Sequence, residues 1–182
     1  MMQPSDSRPH QLARAVADTI CDHWLTVANL CAVAYAALAV AAPLLDSAGH
    51  ATLAGRIYVA YGLVCHQLPD QSWFVVGHQM AFCQRDTAIY GTLAVAGIVY
   101  QFRRRWTTGL TWWLAVAMTA PIALDGGTVL VGWRESDPYL RTVTGVLFGI
   151  VLAWFVYPVF DRSLAIAVAP RRPTTITPGV ST

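Results

Sequence analysis

The stretch Trp24–Leu45, which reads WLTVANLCAVAYAALAVAAPLL, decides the class of fold. It is apolar throughout and free of charge, and at about 1.5 Å rise per residue it is long enough to cross the roughly 30 Å hydrocarbon core of a bilayer. The whole chain of 182 residues is 55% hydrophobic and only 12% charged. Soluble domains carry about 25% charged residues. The sequence therefore predicts a helical protein embedded in the lipid bilayer.

Four further apolar runs follow the first one. The second of the five runs has only 14 residues and contains Arg56, a length more typical of an embedded or re-entrant helix than of a span. We therefore expect an all-α membrane protein, a bundle of four transmembrane helices plus one short embedded or re-entrant helix, with five spans as the alternative. The four further runs are Ala51–Val64, Thr87–Phe102, Trp106–Leu124 and Tyr139–Phe160.

The remaining segments set the predicted domain limits. Residues 1–23 form a polar lead-in that lacks the continuous apolar core of a secretory signal. Residues 24–162 form a single transmembrane helical domain. Residues 163–182 are rich in Pro, Thr and Arg and are expected to be a disordered tail. The formal net charge of +2 gives no reason to expect nucleic-acid binding.

Two polar patches interrupt the apolar runs, and topology brings them together. The third and fourth apolar runs are joined by a short basic loop, Arg103-Arg104-Arg105. Short basic loops lie on the cytoplasmic side of the membrane. Since these two runs form a hairpin, the segments before and after it lie at the same surface. We therefore expect Cys65–Asp86 and Asp125–Arg141 to meet on the extracytoplasmic side of the cell membrane.

The first patch carries the donors of a possible metal site. Thiolates, imidazoles and carboxylates suit a divalent metal such as zinc, although their spacing matches no standard zinc motif. A Cys65–Cys83 disulfide or redox pair, and a purely structural polar network, are the alternatives. The predicted metal ligands are Cys65, His66, His78, Cys83 and Asp86.

The second patch adds charges of both signs. Arginines at a membrane surface suit the phosphate or carboxylate of an anionic, lipid-like or small ligand, and Arg85, Arg134 and Arg141 are the predicted ligand-binding residues. Asp125 and Glu135 are the predicted general bases. Structural ion pairs among the same charges are the alternative. The first hypothesis is thus a metal-supported membrane enzyme or binding protein. The second is a non-catalytic subunit or small transporter whose charges dock a partner or line a cavity.

The motifs of both patches also resemble a known family. The pattern Cys-His-Gln-x-Pro, Gly-His-Gln-Met, Cys-x-Arg, Ile-Tyr-Gly, Ala-Leu-Asp-Gly-Gly-Thr and Gly-Trp-Arg-Glu-Ser is similar to that of small polytopic prokaryotic membrane proteins that form a domain-of-unknown-function family. The resemblance covers roughly Ala51–Val151 and implies the fold but no activity. This chain has Asp86 where the family usually has a second cysteine. The residues that carry the resemblance are Cys65, His66, Gln67, Pro69, Gly77, Cys83, Arg85, Tyr90, Asp125, Gly126, Gly132, Arg134, Ser136, Arg141 and Gly145.

Overall fold

The computed structural model of the chain describes residues 8–168, and it is mostly helical, as predicted. It has six α-helices and one small antiparallel sheet, which packs against α1, α2 and α3. A π-helical turn, Leu152–Val156, joins the last two helices into one continuous rod. The elements are α1 (Arg8–Ser47), α2 (Ala51–Gly62), β1 (Ser72–Val75), β2 (His78–Cys83), α3 (Gln84–Arg103), α4 (Trp112–Leu130), α5 (Pro138–Val151) and α6 (Tyr157–Val168).

Three segments within the described residues are long and apolar enough to cross a membrane: Asp22–Ser47, Trp112–Leu130 and Pro138–Leu164. Helix α3 matches them in length with 20 residues, but it is more polar because it includes Arg85 and Asp86. Helix α2 has 12 residues, which span only about 18 Å at 1.5 Å per residue. Length and composition therefore support a multi-pass helical bundle with three clear spans.

Helix α3 packs against both α1 and α5, and its contacts with α1 show how these two helices run relative to each other. Asn29 of α1 donates to the carbonyl of Gly97 at 3.0 Å, whereas Tyr35, further along α1, packs edge-on against Tyr90 near the start of α3. Helices α1 and α3 are therefore antiparallel. This arrangement places the start of α3 beside the second half of α1.

Two glycines allow α5 to approach α3 closely. A Cβ placed on Gly145 would lie 2.7 Å from the carbonyl oxygen of Arg85, and one on Gly149 would lie 2.7 Å from that of Ile89. Distances this short exclude any side chain, so the two backbones are in direct contact. Since residue numbers rise together along the contact, α3 and α5 are parallel.

Helix α4 differs from its predicted limits at both ends. Residues 107–111 run across the π-helical turn, where the Leu110 amide donates to the carbonyl of Trp154 at 2.7 Å, so the helix begins at Trp112 instead of Trp106. The predicted end at Asp125-Gly126-Gly127 is wrong, because the helix continues to Leu130. Two helical glycines cost only about 1 kcal/mol each, a penalty that tertiary packing overrides. The correction places Asp125 inside a helix.

The first polar patch contains a β-hairpin, formed by β1 and β2, in addition to its loops. Val75 pairs with His78 across a two-residue turn, in which Val76 and Gly77 have φ angles of 51° and 78°. Positive φ at both positions is typical of a type I′ turn, which matches the twist of the flanking strands. A glycine directly after Trp73-Phe74-Val75-Val76, a run of aromatic and β-branched residues, was the signal for this hairpin.

The rod formed by α5 and α6 begins with a capped first turn. The Asp137 carboxylate accepts from the Tyr139 amide at 2.8 Å, and Pro138 occupies the first turn, as expected near a helix start. Helix α6 continues to Val168, six residues beyond the predicted boundary at residue 162. Residues 1–7 of the predicted lead-in and 169–182 of the predicted tail lie outside the described residues.

Candidate functional site

Gln67 fixes the loop that presents the first cysteine. The residue has a φ of 51°, a left-handed backbone that costs free energy for any residue except glycine. Its side-chain amide donates to the carbonyls of Tyr58 at 2.8 Å and Ala81 at 3.1 Å. Its own carbonyl accepts from the side chain of Gln79. The loop after α2 is thereby tied to β2, which places Cys65 beside the end of that strand.

Cys65, Cys83 and Asp86 form a compact group of possible metal donors. One ligand atom from each residue, the two Sγ atoms and a carboxylate oxygen, lies within 4.8 Å of the others. The Cys83 amide donates to the Sγ of Cys65 at 3.2 Å, and the Sγ of Cys83 lies 3.3 Å from a carboxylate oxygen of Asp86. Cys83 is also the N-cap residue of α3. The group therefore sits at a helix N-terminus, where the helix dipole favours anionic side chains.

The two thiols share their protons unequally. A hydrogen bond from the Cys83 thiol holds the pKa of Cys65 below its usual value. The same contact with Cys65, together with burial, raises the pKa of Cys83. Cys65 is therefore the first thiol of the pair to become a thiolate, and the thiolate is the form that binds metals and reacts as a nucleophile.

The donor group opens into a pocket of about 240 Å³. Polar side chains from the loop line it, including His66, which is exposed at its edge. The other predicted histidine ligand lies elsewhere, because the Nδ1 atom of His78 is 2.8 Å from a carboxylate oxygen of Asp46 at the end of α1. That pair fastens the tip of the hairpin to α1. Of the five predicted metal ligands, the structure brings Cys65, Cys83 and Asp86 together, with His66 at the pocket.

An aromatic cluster packs against the cysteine pair on the bundle side. The rings of Tyr35 and Tyr61 stack with centroids 4.9 Å apart, and those of Phe82 and Tyr90 stack at 5.0 Å. These rings connect α1, α2, β2 and α3. Cys65, which is 5% exposed, belongs to the same buried cluster. The cysteine pair therefore has rigid apolar walls behind it and polar side chains in front.

The second patch is organised around the carboxylate of Asp125, which is 2% exposed. Arg85 of α3 forms an ion pair with one of its oxygens, and Arg134 lies 2.5 Å from the other. The Ser136 hydroxyl lies 2.7 and 2.9 Å from the two oxygens. Arg134 also donates through Nε to Thr128 at 3.1 Å. The carboxylate is thus held by three donor side chains from two segments, helix α3 and the loop between α4 and α5.

Arg85 connects the two patches. It follows Cys83 by two residues, lines the pocket, and pairs with Asp125 across the α3–α4 boundary. Its Nη1 atom lies 3.5 Å from the position that a Cβ would occupy on Gly126. A small residue at that position leaves room for the guanidinium. The ion pair therefore joins the two patches, as predicted from the helical hairpin formed by the third and fourth apolar runs.

The other two predicted site residues lie on either side of this ion pair. Arg141 is 6% exposed and lies one helical turn before Gly145, on the face of α5 that packs against α3. Glu135 is exposed on the loop between α4 and α5. The predicted general bases thus have opposite settings, since Asp125 is buried and held by three side chains whereas Glu135 faces outward.

Three residues that organise the site were absent from the predicted set. Ser136 bonds both oxygens of Asp125, Gln67 clasps the cysteine loop, and Asp46 holds His78. Gln67 and Ser136 both belong to the motifs that carry the family resemblance, which was the available signal for them. Asp46 directly follows the first apolar run, and its partner could not be read from that position.

These elements define an integral membrane protein with apolar helices and a polar site at one end of its bundle. The chain belongs to the family described as "Predicted membrane protein (DUF2085)", whose sequence pattern matches residues 65–155. The match begins at Cys65 and includes both patches. It confirms the resemblance that the motifs indicate.

Two archaeal proteins illustrate the relationship. The chain is 38% identical to the uncharacterized protein MJ1492 of Methanocaldococcus jannaschii over 107 residues, which are 57% of this chain and 68% of that protein. It is 33% identical to an uncharacterized protein of Methanothermobacter thermautotrophicus over 98 residues, which are 53% of this chain and 87% of that protein. No solved structure matches the chain.

Proposed function

We propose that this membrane protein binds a divalent, borderline-soft metal ion such as zinc through Cys65, Cys83 and Asp86. The observation that carries the proposal is the convergence of two sulfur atoms and one carboxylate oxygen within 4.8 Å. Zinc–sulfur bonds are about 2.3 Å and zinc–oxygen bonds about 2.0–2.2 Å, so two ligand atoms of one ion are at most about 4.6 Å apart, and a small movement of these side chains brings all three donors onto one ion. The aspartate that replaces the family's usual cysteine supplies an oxygen in place of a third sulfur.

Three protein ligands leave one position of a tetrahedral ion open. Catalytic zinc sites have this arrangement, whereas structural sites are closed by four protein ligands. Cys65, Cys83 and Asp86 line the 240 Å³ pocket together with His66 and Gln71, so an ion held by these donors would be accessible to a ligand from the pocket. A metal bound there would supply a Lewis acid for a carbonyl or phosphoryl oxygen, or activate a water molecule.

Arg85 gives the pocket its preference for anionic ligands. Its guanidinium lines the pocket while Asp125 holds it from behind. We assign Asp125 the role of an anchor, because two arginines and one serine already occupy its oxygens. Arg134 and Arg141 then support the arrangement from the second patch, and the ligand class is an anionic small molecule or lipid-like headgroup.

The proposed topology has four spans, with α3 as the fourth and α2 as a short embedded helix. Tyr61 near the end of α2 packs on Tyr35 in the middle of α1, so α2 descends beside the bundle instead of crossing it. Within residues 8–168 of this topology, the end opposite the site carries six arginines, whereas the site end carries four. The positive-inside rule counts basic residues near the spans, so this difference supports an extracytoplasmic site. The arginines opposite the site are Arg8, Arg14, Arg103, Arg104, Arg105 and Arg162, and those at the site end are Arg56, Arg85, Arg134 and Arg141.

Metal analysis of protein purified in mild detergent after growth with added zinc tests the proposal. The wild type is expected to carry about one metal ion per chain, and Cys83→Ser and Asp86→Ala are expected to lose most of it. Cys31→Ser is the matched control, because Cys31 is an exposed thiol on α1 far from the pocket in sequence. His78→Asn is a second control that should keep the metal, since His78 pairs with Asp46.

The same samples separate the metal centre from the one competing function that the geometry favours. The proximity of Cys65 and Cys83 also suits a redox-active pair. Thiol counting by mass spectrometry distinguishes the two states. A wild-type protein that holds no metal and carries a Cys65–Cys83 disulfide would overturn the metal proposal and leave the redox pair in its place.

A further inference from the structure

A second polar pocket lies at the opposite end of the bundle, away from the cysteine site. It has a volume of about 260 Å³ and is bounded by the start of the α1 span and the end of α3. Arg104 and Arg105 provide two positive charges, and Asp22 provides one negative charge. The described part of this pocket therefore has a formal charge of +1. None of its residues belongs to the proposed metal site.

Neither arginine is strongly neutralised within the described part of the protein. Arg104 reaches Asp161 only at 4.0 Å, beyond hydrogen-bond distance, and Asp161 already accepts from the indole nitrogen of Trp24 at 3.0 Å. Arg105 is exposed. Guanidinium groups with unused donors are suited to bidentate contact with phosphate.

The pocket has a rigid inner wall. Gln101 donates to the hydroxyl of Thr26 at 2.9 Å and accepts from the side-chain amide of Asn29 at 2.8 Å. Asn29 is 4% exposed and bonds the carbonyl of Gly97 as well. These bonds join α1 to α3 below the pocket. They hold the two helix ends at a fixed separation, so the pocket does not depend on a ligand to form.

The surroundings of the pocket are those of a membrane interface. The Asp22–Ser47 span begins at the pocket, so its level is the boundary of the apolar region. Phe102 lines the pocket and is 74% exposed, and Trp106 immediately beyond the arginines is 81% exposed. Exposed aromatic residues beside arginines are typical of the headgroup layer. A ligand with both a phosphate and apolar chains fits this position better than a freely soluble one.

We propose that this pocket binds the phosphodiester of an anionic phospholipid headgroup between α1 and α3. Arg104 and Arg105 contact the phosphate, and Asp22 accepts from hydroxyl groups of the headgroup. The charge of +1 balances one phosphodiester, which favours phosphatidylglycerol over zwitterionic lipids. Basic pockets between helices at the cytoplasmic end of a span are known to take anionic headgroups.

Native mass spectrometry of delipidated protein in mild detergent, titrated with phosphatidylglycerol, phosphatidylethanolamine or phosphatidylcholine, tests this inference. The wild type should bind its first phosphatidylglycerol at least about tenfold more tightly than phosphatidylcholine. Arg105→Gln, which breaks no described contact, should weaken that binding about fivefold, and Arg104→Gln with Arg105→Gln should weaken it about 25-fold. Arg103→Gln is the matched control, since Arg103 is exposed in the same cluster and does not line the pocket.

Each alternative outcome contradicts the proposal in a different way. Equal losses in Arg103→Gln and Arg105→Gln would show a diffuse charge effect instead of a pocket. Tighter binding of phosphatidylethanolamine than of phosphatidylglycerol would refute the charge argument. Displacement of phosphatidylglycerol by millimolar inorganic phosphate would show a site for free phosphate. An unchanged thermal transition in Arg105→Gln ensures that a loss of binding is not a loss of fold.

Discussion

The replacement Asp125→Asn tests whether the buried carboxylate holds the two patches together. Asparagine keeps the shape of the side chain but loses its charge, and its amide NH₂ would face arginine donors. The Arg85 side chain is 24% exposed and that of Arg134 is 39% exposed. Loss of the carboxylate therefore costs more free energy at Arg85, because water can solvate its guanidinium less. Removing one member of a buried ion pair costs about 3–5 kcal/mol. We expect a destabilisation of that size.

The partners of Asp125 should follow in a definite order. Arg134→Gln leaves the ion pair with Arg85 in place and removes a group that is more than one-third exposed, so it should cost about 1 kcal/mol. Ser136→Ala removes a buried hydroxyl that bonds both oxygens and should cost about 1–3 kcal/mol. In the Asp125→Asn background, Arg134→Gln should cost little, because its partner is already gone.

Thermal unfolding in mild detergent, followed by the fluorescence of the seven tryptophans, measures these effects. For a chain of this size 1 kcal/mol corresponds to about 2–4 °C, so Asp125→Asn should lower the transition by about 6–20 °C. Asp137→Asn is the matched control, since asparagine caps a helix as well as aspartate does. A transition within 2 °C of the wild type for Asp125→Asn, or an equal loss for Asp137→Asn, would refute the anchoring role.

Two further predictions concern helix packing and the thiol pair. Gly145→Ala would place a Cβ 2.7 Å from the carbonyl oxygen of Arg85 and should destabilise the protein by about 1–3 kcal/mol. A Cβ on Gly91 meets nothing within 4 Å, so Gly91→Ala should stabilise the protein by about 0.5–1 kcal/mol. Thermal unfolding that ranks the two variants the other way would contradict the close α3–α5 contact. In metal-free protein, the lowered pKa of Cys65 means that its alkylation, read by peptide mass spectrometry, should reach half its maximal rate below the pH of about 8.5 typical of a free thiol. That midpoint should rise in Cys83→Ala, and a midpoint indifferent to the replacement would show that the two sulfurs do not share a proton.

Much of the candidate site follows from the sequence because topology is a strong constraint. Two apolar runs joined by an arginine-rich turn must return the chain to the surface it left. This requirement alone predicts that the segments around Arg85 and Asp125 lie at the same end of the bundle. The ion pair between Arg85 and Asp125 agrees with that prediction.

The sequence could not assign partners within the site. His78 and Cys83 both lie near Cys65 along the chain, and both carry good metal donors. The hairpin turn at Val76-Gly77 directs His78 towards Asp46, whereas the other end of β2 delivers Cys83 to Cys65. Strand pairing therefore separates two donors that spacing alone would group together.

The C-terminal end of α4 also differs between the local sequence signal and the folded protein. Glycine pairs usually mark turns, so Gly126-Gly127 predicts a helix end. In the folded protein the helix instead continues through Gly126, where Arg85 Nη1 lies at an ordinary van der Waals distance of 3.5 Å from the position of a Cβ. A local preference worth about 1 kcal/mol gave way to packing and ion pairing worth more.

The sequence by itself determined the membrane class, the helical bundle and the meeting of two polar patches at one end, because hydrocarbon requires long apolar helices and spans must alternate in direction. Only the tertiary structure decided which donors converge. Those choices depend on the turn of a hairpin, the left-handed backbone of Gln67 and the close approach of α5 to α3 at Gly145. The first two are local backbone conformations that matter because they bring His78 to Asp46 and Gln67 to Ala81, and the third is a contact between distant segments. Such partners are set by packing instead of by local pattern.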